Sequence, residues 1–384
     1  MAKYTEFYKG RRKRRNYIFI PAAILLGLLA FAVVMFYGVQ KYAVITKDAV
    51  TVKLPFMKEE ENTTIDAQGN EVKVFEQVDA QIVFDEPDYS GIQPAAGEGV
   101  EPIRAIFVPY TDLNKEKLEE YAGRLNQGNA LVLEMKPRTG KLMWSSNSSV
   151  ARNYGLTSSE PDQMQSLIDS LREYKPDIYL AAQISCCLDE LFASFSTTVT
   201  LKTSYGADYR DEKGTWLDAY NMTLRTYIVE LCRELYDMGF DEVILADVAH
   251  PVVPEPEEGK EKEQLLYTRS MSTTPGPVNA VCGFAVSVAD ELSDRKGLLS
   301  IYCDSARALV KNDEANGQNA VLFMKLYDRV YYRTDKYAYT FNFTDIQPSV
   351  LIGDTKFRFV PVVENYLPDN SSEVSWVLID VEED

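Results

Sequence analysis

Histidine is nearly missing from this 384-residue chain, which holds one, His250. A Ser-His-Asp triad would have to use it, and no Gly-x-Ser-x-Gly elbow exists to supply the serine. A Gly-rich phosphate loop and metal-ligand clusters are also lacking, so neither a cofactor nor a metal is expected. The five cysteines (Cys186, Cys187, Cys232, Cys282, Cys303) show no metal spacing and cannot all pair within one chain. Cys232 and Cys282 fall on apolar helix faces, so buried free thiols are expected rather than a disulfide framework. Acidic residues far outnumber basic ones after the first fifteen residues. These carry a net +6, which takes the whole-chain −18 to −24 for the remainder. Such a surface is repelled by nucleic acid and by anionic lipid headgroups, which argues against both as partners.

What is present begins with a basic tail, residues 1–16, containing Lys3, Lys9, Arg11, Arg12, Lys13, Arg14 and Arg15. An uncharged run from Tyr17 to Val39 follows. About 20 apolar residues cross a bilayer core, so residues 17–39 are expected to form a transmembrane helix. The basic flank keeps the N-terminus cytoplasmic and sends the rest across, which predicts a single-pass membrane protein with an extracellular C-terminal domain. A cleaved signal peptide has a shorter core of roughly 7–15 residues and a small-residue cleavage site, which Phe-Tyr-Gly-Val-Gln-Lys does not supply. Residues 40–100 alternate short β-like pieces with acidic, Gly- and Pro-containing stretches. They read as an extracellular β-containing stalk, with a hairpin around Ala67-Gln68-Gly69-Asn70.

Residues 101–384 change character. Apolar runs at Ile103–Val108, Ala130–Met135, Ile178–Ile184, Glu242–Val248, Leu298–Tyr302, Arg329–Tyr332, Phe357–Val363 and Ser375–Ile379 read as strands. Between several of them lie helical stripes, such as Leu118, Tyr121, Ala122 and Leu125, or Tyr227, Ile228, Leu231, Cys232 and Leu235. Continuous apolar strands separated by amphipathic helices signal a parallel sheet covered on both faces. Eight strands in about 280 residues predict an α/β fold, a (β/α)8 TIM-like barrel, irregular in its last third.

Two segments carry a resemblance. Gly214 to Pro251, GTWLDAYNMTLRTYIVELCRELYDMGFDEVILADVAHP, and Asn129 to Trp144, NALVLEMKPRTGKLMW, resemble a bacterial family of TIM-barrel proteins described as glycosyl hydrolases. The family's second strand reads Asn-Ala-Val-Val-Ile-Asp-Val-Lys, which puts Glu134 at its Asp and keeps its Lys as Lys136. Its fourth strand ends Gln-Phe-Asp-Tyr, an aliphatic residue, then Arg-Phe-Pro. The Asp falls on Ala246 and the Arg on Ala249. Asp247 sits one place later, on the opposite face of a regular strand, so it replaces that Asp only if the backbone is re-aimed.

Glycoside hydrolysis needs a proton donor and a second carboxylate, and a barrel places both at the C-terminal ends of its strands. Glu134, Asp247, Asp304 and Glu364 all lie at or just past strand ends. The resemblance implies Glu134 and Asp247 as the catalytic pair. Lys136, Trp144, Asp304 and Glu364 are the candidate substrate-binding residues. Lys136 shares strand parity with Glu134, and an adjacent ammonium would favour the ionised carboxylate. Trp144, Trp216, Tyr110, Tyr205, Tyr209, Tyr331 and Tyr332 fall in or near the loops that follow strands, where aromatic faces can stack on sugars or pack the rim. Two readings stay open: a membrane-anchored enzyme acting on an extracellular glycan or cell-wall polymer, or a noncatalytic barrel that binds glycan or an envelope protein. A purely structural scaffold is a weaker third.

Overall fold

The structure is a computed structural model. It describes residues 43–45, 50–52, 63–65, 71–73, 100–125, 128–156, 163–255, 265–267, 276–304, 308, 313–333, 355–367 and 371–380. The expected membrane span and basic tail lie outside these residues. Among the described residues no helix is long and apolar enough to cross a membrane.

The chain divides into two compact units, Met1–Gln81 and Ile82–Asp384. The first contains two antiparallel pairs. Ala43–Ile45 pairs with Val50–Val52, and Thr63–Ile65 pairs with Glu71–Lys73, with Ile65 opposite Glu71 around the expected turn.

The second unit is a closed parallel barrel of eight strands. In chain order they are β1 (Arg104–Val108), β2 (Ala130–Lys136), β3 (Tyr179–Ser185), β4 (Glu242–Ala246), β5 (Leu298–Tyr302), β6 (Arg329–Arg333), β7 (Phe359–Glu364) and β8 (Trp376–Ile379). Each pairs with its sequence neighbours, and β8 returns to β1 through Val377 opposite Ala105. Alternation along each strand sends one set of side chains inward and the other toward the helices. Ala105, Val132, Ala181, Ile244, Val360 and Val377 fill the interior. Ile106, Leu131, Leu133, Leu180, Val243 and Leu245 join the outer core.

Helices cover that outer face; those at Lys115–Gly123, Met164–Tyr174, Met222–Asp237 and Pro277–Glu291 lie on 3.6-residue stripes, and the shorter ones carry no such stripe in the sequence reading. The helices include α1 (Lys115–Gly123), α2 (Ser149–Tyr154), α3 (Met164–Tyr174), α4 (Glu190–Phe195), α5 (Met222–Asp237), α6 (Pro277–Glu291), α7 (Ala320–Leu326) and the one-turn α8 (Thr355–Arg358). The starts of α1 and α5 are capped: Asn114 accepts the Lys117 N–H at 3.1 Å, and Asn221 accepts the Thr223 N–H at 2.9 Å. Among the described residues no helix separates β7 from β8, in keeping with the irregular last third.

The N-terminal end of the barrel is closed by a buried polar plug. Glu242, which opens β4, pairs with Arg329, which opens β6. The same carboxylate accepts the hydroxyls of Ser300 at 2.5 Å, Tyr179 at 2.8 Å and Tyr331 at 2.8 Å. Arg329 also donates to the Glu101 carbonyl at 2.6 Å. A buried carboxylate is tolerated only with such partners. Tyr331 therefore belongs to the plug, not to the strand-end loops where the sequence suggested it.

Candidate active site

The opposite end of the barrel carries a cleft. Its chemistry depends on two departures from regular strand geometry. The first is in β2. Leu133 lies opposite Ala182 and Glu134 opposite Gln183, but Lys136 lies opposite Ile184, so Met135 is an extra residue in a bulge. Residues opposite each other share a face, so Glu134 points inward with Gln183 while Lys136 turns outward with Ile184. The expectation that Glu134 and Lys136 share the barrel mouth is thus corrected. Lys136 is 1 % exposed, pairs with Asp189 at 2.8 Å and donates to the Ser185 carbonyl at 2.6 Å. It holds the loop after β3 and is not a substrate contact.

Without an ammonium beside it, Glu134 titrates the other way. Burial, the largest cause, raises its pKa, and the Asp247 charge adds to this against the Tyr110 N–H and Arg138, which lower it. The Tyr110 N–H donates to Glu134 Oε2 at 3.1 Å. The raised value suits a proton donor better than a nucleophile.

The second departure is at the end of β4. Ala246 faces inward opposite Ser185, and alternation would point Asp247 at the helices. Instead Asp247 has φ 55°, the left-handed region that Asp tolerates better than most residues. That conformation turns the carboxylate into the cleft, one position after the place where the family resemblance put an acid. Arg138 grips it, with Nη2 2.6 Å from Oδ1 and Nε 3.0 Å from Oδ1 and 3.1 Å from Oδ2. Ser185 Oγ donates to Oδ2 at 2.7 Å. A forked guanidinium of this kind fixes the orientation of the carboxylate.

Asp304, just past β5, opens onto the cleft from among the loops. Desolvation and then the Asp247 charge raise its pKa to about 6. Its N–H donates to Gln318 Oε1 at 2.8 Å, and Gln318 Nε2 donates to the Val248 carbonyl at 3.0 Å. One buried glutamine therefore ties together the loops that carry Asp247 and Asp304.

The cleft has two lobes that share Asp247 and Asp304. The first, about 390 Å³, includes Phe107, Tyr110, Glu134, Arg138, Gln183 and Tyr302. The second, about 500 Å³, includes Glu212, Lys213, Trp216, His250 and Asp313. His250 is buried, which lowers its pKa to about 4, so its ring is neutral at neutral pH. Its Nδ1 lies 2.9 Å from the Pro251 carbonyl. Among the described residues no group of three or more His, Cys, Asp or Glu is placed to hold a metal ion.

Other expected contacts fall elsewhere. Trp144 is 3 % exposed within the outer core and donates its indole N–H to Glu234 at 2.8 Å, so it packs α5 and offers no face to a sugar. Glu364 ends β7 paired with Arg333, and Arg333 is the partner that lines the first lobe. Tyr205 is exposed, Tyr209 is buried, and Tyr332 packs on Phe359 with ring centroids 6.0 Å apart. Of the aromatics singled out in the sequence, Tyr110 and Trp216 line the cleft.

Sequence reasoning missed Arg138, Ser185, Gln183 and the Asp211–Lys213 turn. Arg138 had one signal: in the family resembled, acids follow the Lys of the second strand, and here Pro137 and Arg138 stand in their place. The others had none, because each reaches the cleft through a loop path or a strand register.

The sequence model of the family described as "Putative glycosyl hydrolase domain" matches residues 105–332. No curated protein matches the sequence. Among solved structures, a hypothetical protein from Ruminiclostridium thermocellum is 22 % identical over 51 % of this chain and 96 % of its own, with a TM-score of 0.40. The PgaB (BpsB) glycoside hydrolase domain from Bordetella bronchiseptica is 13 % identical over 72 % of this chain and 94 % of its own, with a TM-score of 0.49. The PelA glycoside hydrolase domain from Pseudomonas aeruginosa is 11 % identical over 69 % and 85 %, with a TM-score of 0.36.

Proposed function

Because this chain belongs to the family described as "Putative glycosyl hydrolase domain", we propose that its barrel is a membrane-anchored, extracellular glycosidase acting on a cell-wall or environmental polysaccharide. Glu134 gives the proton to the leaving oxygen, and Asp247, held in place by the Arg138 guanidinium, is the nucleophile or the base for water. Asp304 and Tyr110 hold the sugar. The observation that carries this reading is that Glu134 and Asp247 line one cleft despite the one-residue offset in β4.

The test is incubation of the full chain with a panel of cell-wall and plant glycans, reading new reducing ends. Hydrolysis is expected, with kcat/KM falling on a basic limb that lies above the ordinary glutamate value of about 4.3, since the raised Glu134 must keep its proton. Glu134→Gln is expected to lower the rate at least a hundredfold. Turnover unaffected by that change would remove Glu134 from the mechanism. The Arg138 fork across both Asp247 oxygens supports a second reading, a barrel that binds glycan without cutting it. Binding without new reducing ends from any glycan in the panel would favour that one.

The location rests on the uncharged run Tyr17–Val39 behind its basic tail. The chain is expected to sediment with membranes and to be digested by protease added to intact cells. Recovery in the soluble fraction would overturn the anchor.

A further inference from the structure

Tyr302 ends β5 with its ring among the inward-facing residues of the barrel. β4 and β5 pair through Leu245 opposite Ile301, so Tyr302 comes one step later, beside Ala246. Ala246 offers only a methyl group there, and the tyrosine lines the first lobe together with Glu134, Asp247 and Asp304. Its ring is held from the barrel interior. It packs on Tyr331 with ring centroids 5.6 Å apart, and the Tyr331 hydroxyl is fixed by Glu242 in the buried plug at 2.8 Å.

The other end of the phenol is not tied. Tyr302 is 7 % exposed, and among the described residues its hydroxyl has no hydrogen-bond partner. A buried tyrosine hydroxyl ordinarily finds one. Those of Tyr236 and Tyr327 donate to the carbonyls of Leu298 and Ala285, each at 2.9 Å. The hydroxyls of Tyr227 and Tyr267 also lack a partner, but they are sealed from solvent. That of Tyr302 opens onto the lobe, where an entering molecule can reach it. The acids around it are already engaged, Asp247 by Arg138 and Ser185, and Glu134 Oε2 by the Tyr110 N–H. Burial, then the charge of Asp304, raises the Tyr302 pKa above the ordinary tyrosine value; Asp247 and Glu134 add to this and Arg333 opposes it. The phenol keeps its proton and acts as a donor.

We propose that Tyr302 binds the sugar ring whose bond is cut, its hydroxyl donating a hydrogen bond to an oxygen of that ring from the floor of the first lobe. This assigns the first lobe as the place of the reacting sugar, and it rests on the glycosidase reading for the cleavage step. Tyr331 holds the phenol in position.

The experiment compares Tyr302→Phe with the parent full chain on soluble oligosaccharides from chitin, cellulose, xylan and peptidoglycan, by calorimetric binding and by new reducing ends. Phe keeps the ring on Tyr331 and removes only the hydroxyl, so the variant should melt close to the parent. On the oligosaccharide that the parent cuts, kcat/KM is expected to fall about tenfold, the worth of one hydrogen bond left unmade. The basic limb set by Glu134 should not move, because Tyr302 acts on the sugar and not on that proton. Unchanged kcat/KM overturns the inference and leaves the glycosidase reading standing, since the parent still cuts. A basic limb that moves makes Tyr302 a partner of Glu134 and also overturns it, as does a variant that melts far below the parent. Weaker binding by the variant, with no cleavage by either protein, overturns the glycosidase reading and keeps the Tyr302 contact. A parent that binds none of the four oligosaccharides overturns both.

Discussion

Asp247→Asn is expected to lower kcat by about a thousandfold or more on any glycan the protein cuts, while the barrel stays folded. The amide matches the carboxylate in size and still accepts hydrogen bonds from Arg138 and Ser185. Asn also tolerates the left-handed backbone recorded at this position, φ 55°, as well as Asp does. What is lost is the negative charge, which a nucleophile or a base for water cannot do without. Arg138 is 48 % exposed along its side chain, so it returns to solvent when the pairing weakens and strands no buried charge. Fold would be checked by circular dichroism and thermal melting, and activity by new reducing ends. Full activity in the Asn variant would rule Asp247 out as the second carboxylate. Asp247→Ala separates charge from packing, since it also releases Ser185.

The largest effect on stability is expected at the other end of the barrel. Arg329→Met removes the cation from a carboxylate, Glu242, that is fully buried. Three hydroxyls remain on Glu242, from Ser300, Tyr179 and Tyr331, but hydroxyls do not cancel its charge. Breaking a buried pair from one side costs about 3–5 kcal/mol. Natural domains have only about 5–15 kcal/mol in hand, so this variant is expected to melt far below the parent. The double change Glu242→Leu with Arg329→Met removes both charges and should recover much of the loss, because an apolar pair strands nothing. Urea unfolding of the parent, the single and the double variant measures this. A single variant as stable as the parent would show that the plug is not holding the strands.

Much of the barrel was legible because parallel strands buried on both faces must be apolar along their length. All eight runs read from the sequence correspond to strands, and β5 matches residue for residue at Leu298–Tyr302. The helical stripes were legible for a similar reason, since Leu118, Tyr121 and Ala122 can share one buried face only in a helix. The site was less legible. Glu134 and Asp247 were found through strand ends and a family resemblance, but their orientations were not. Strand parity argued that Lys136 joins Glu134 and that Asp247 faces away. The first inference failed at the Met135 bulge, whereas the re-aimed backbone that the reading of Asp247 required is present as its left-handed conformation. Trp144 failed for a different reason: a tryptophan in a strand-end loop can face the cleft or the helices, and here Glu234 on α5 captures its indole N–H.

Composition and periodicity alone determined that this chain carries a long uncharged run behind a basic tail, a strongly acidic body and a barrel's worth of parallel strands. These properties sum over many residues, so no single local irregularity can reverse them. Tertiary structure decided which carboxyl groups meet, which is raised by burial and which is gripped by a guanidinium. A strand's period of two makes the direction of every side chain hostage to one inserted residue or one unusual φ. Pairing of β2, β3 and β4 brings Arg138 to Asp247, and the loops after β3, β4 and β5 bring the acidic lobe to the same cleft.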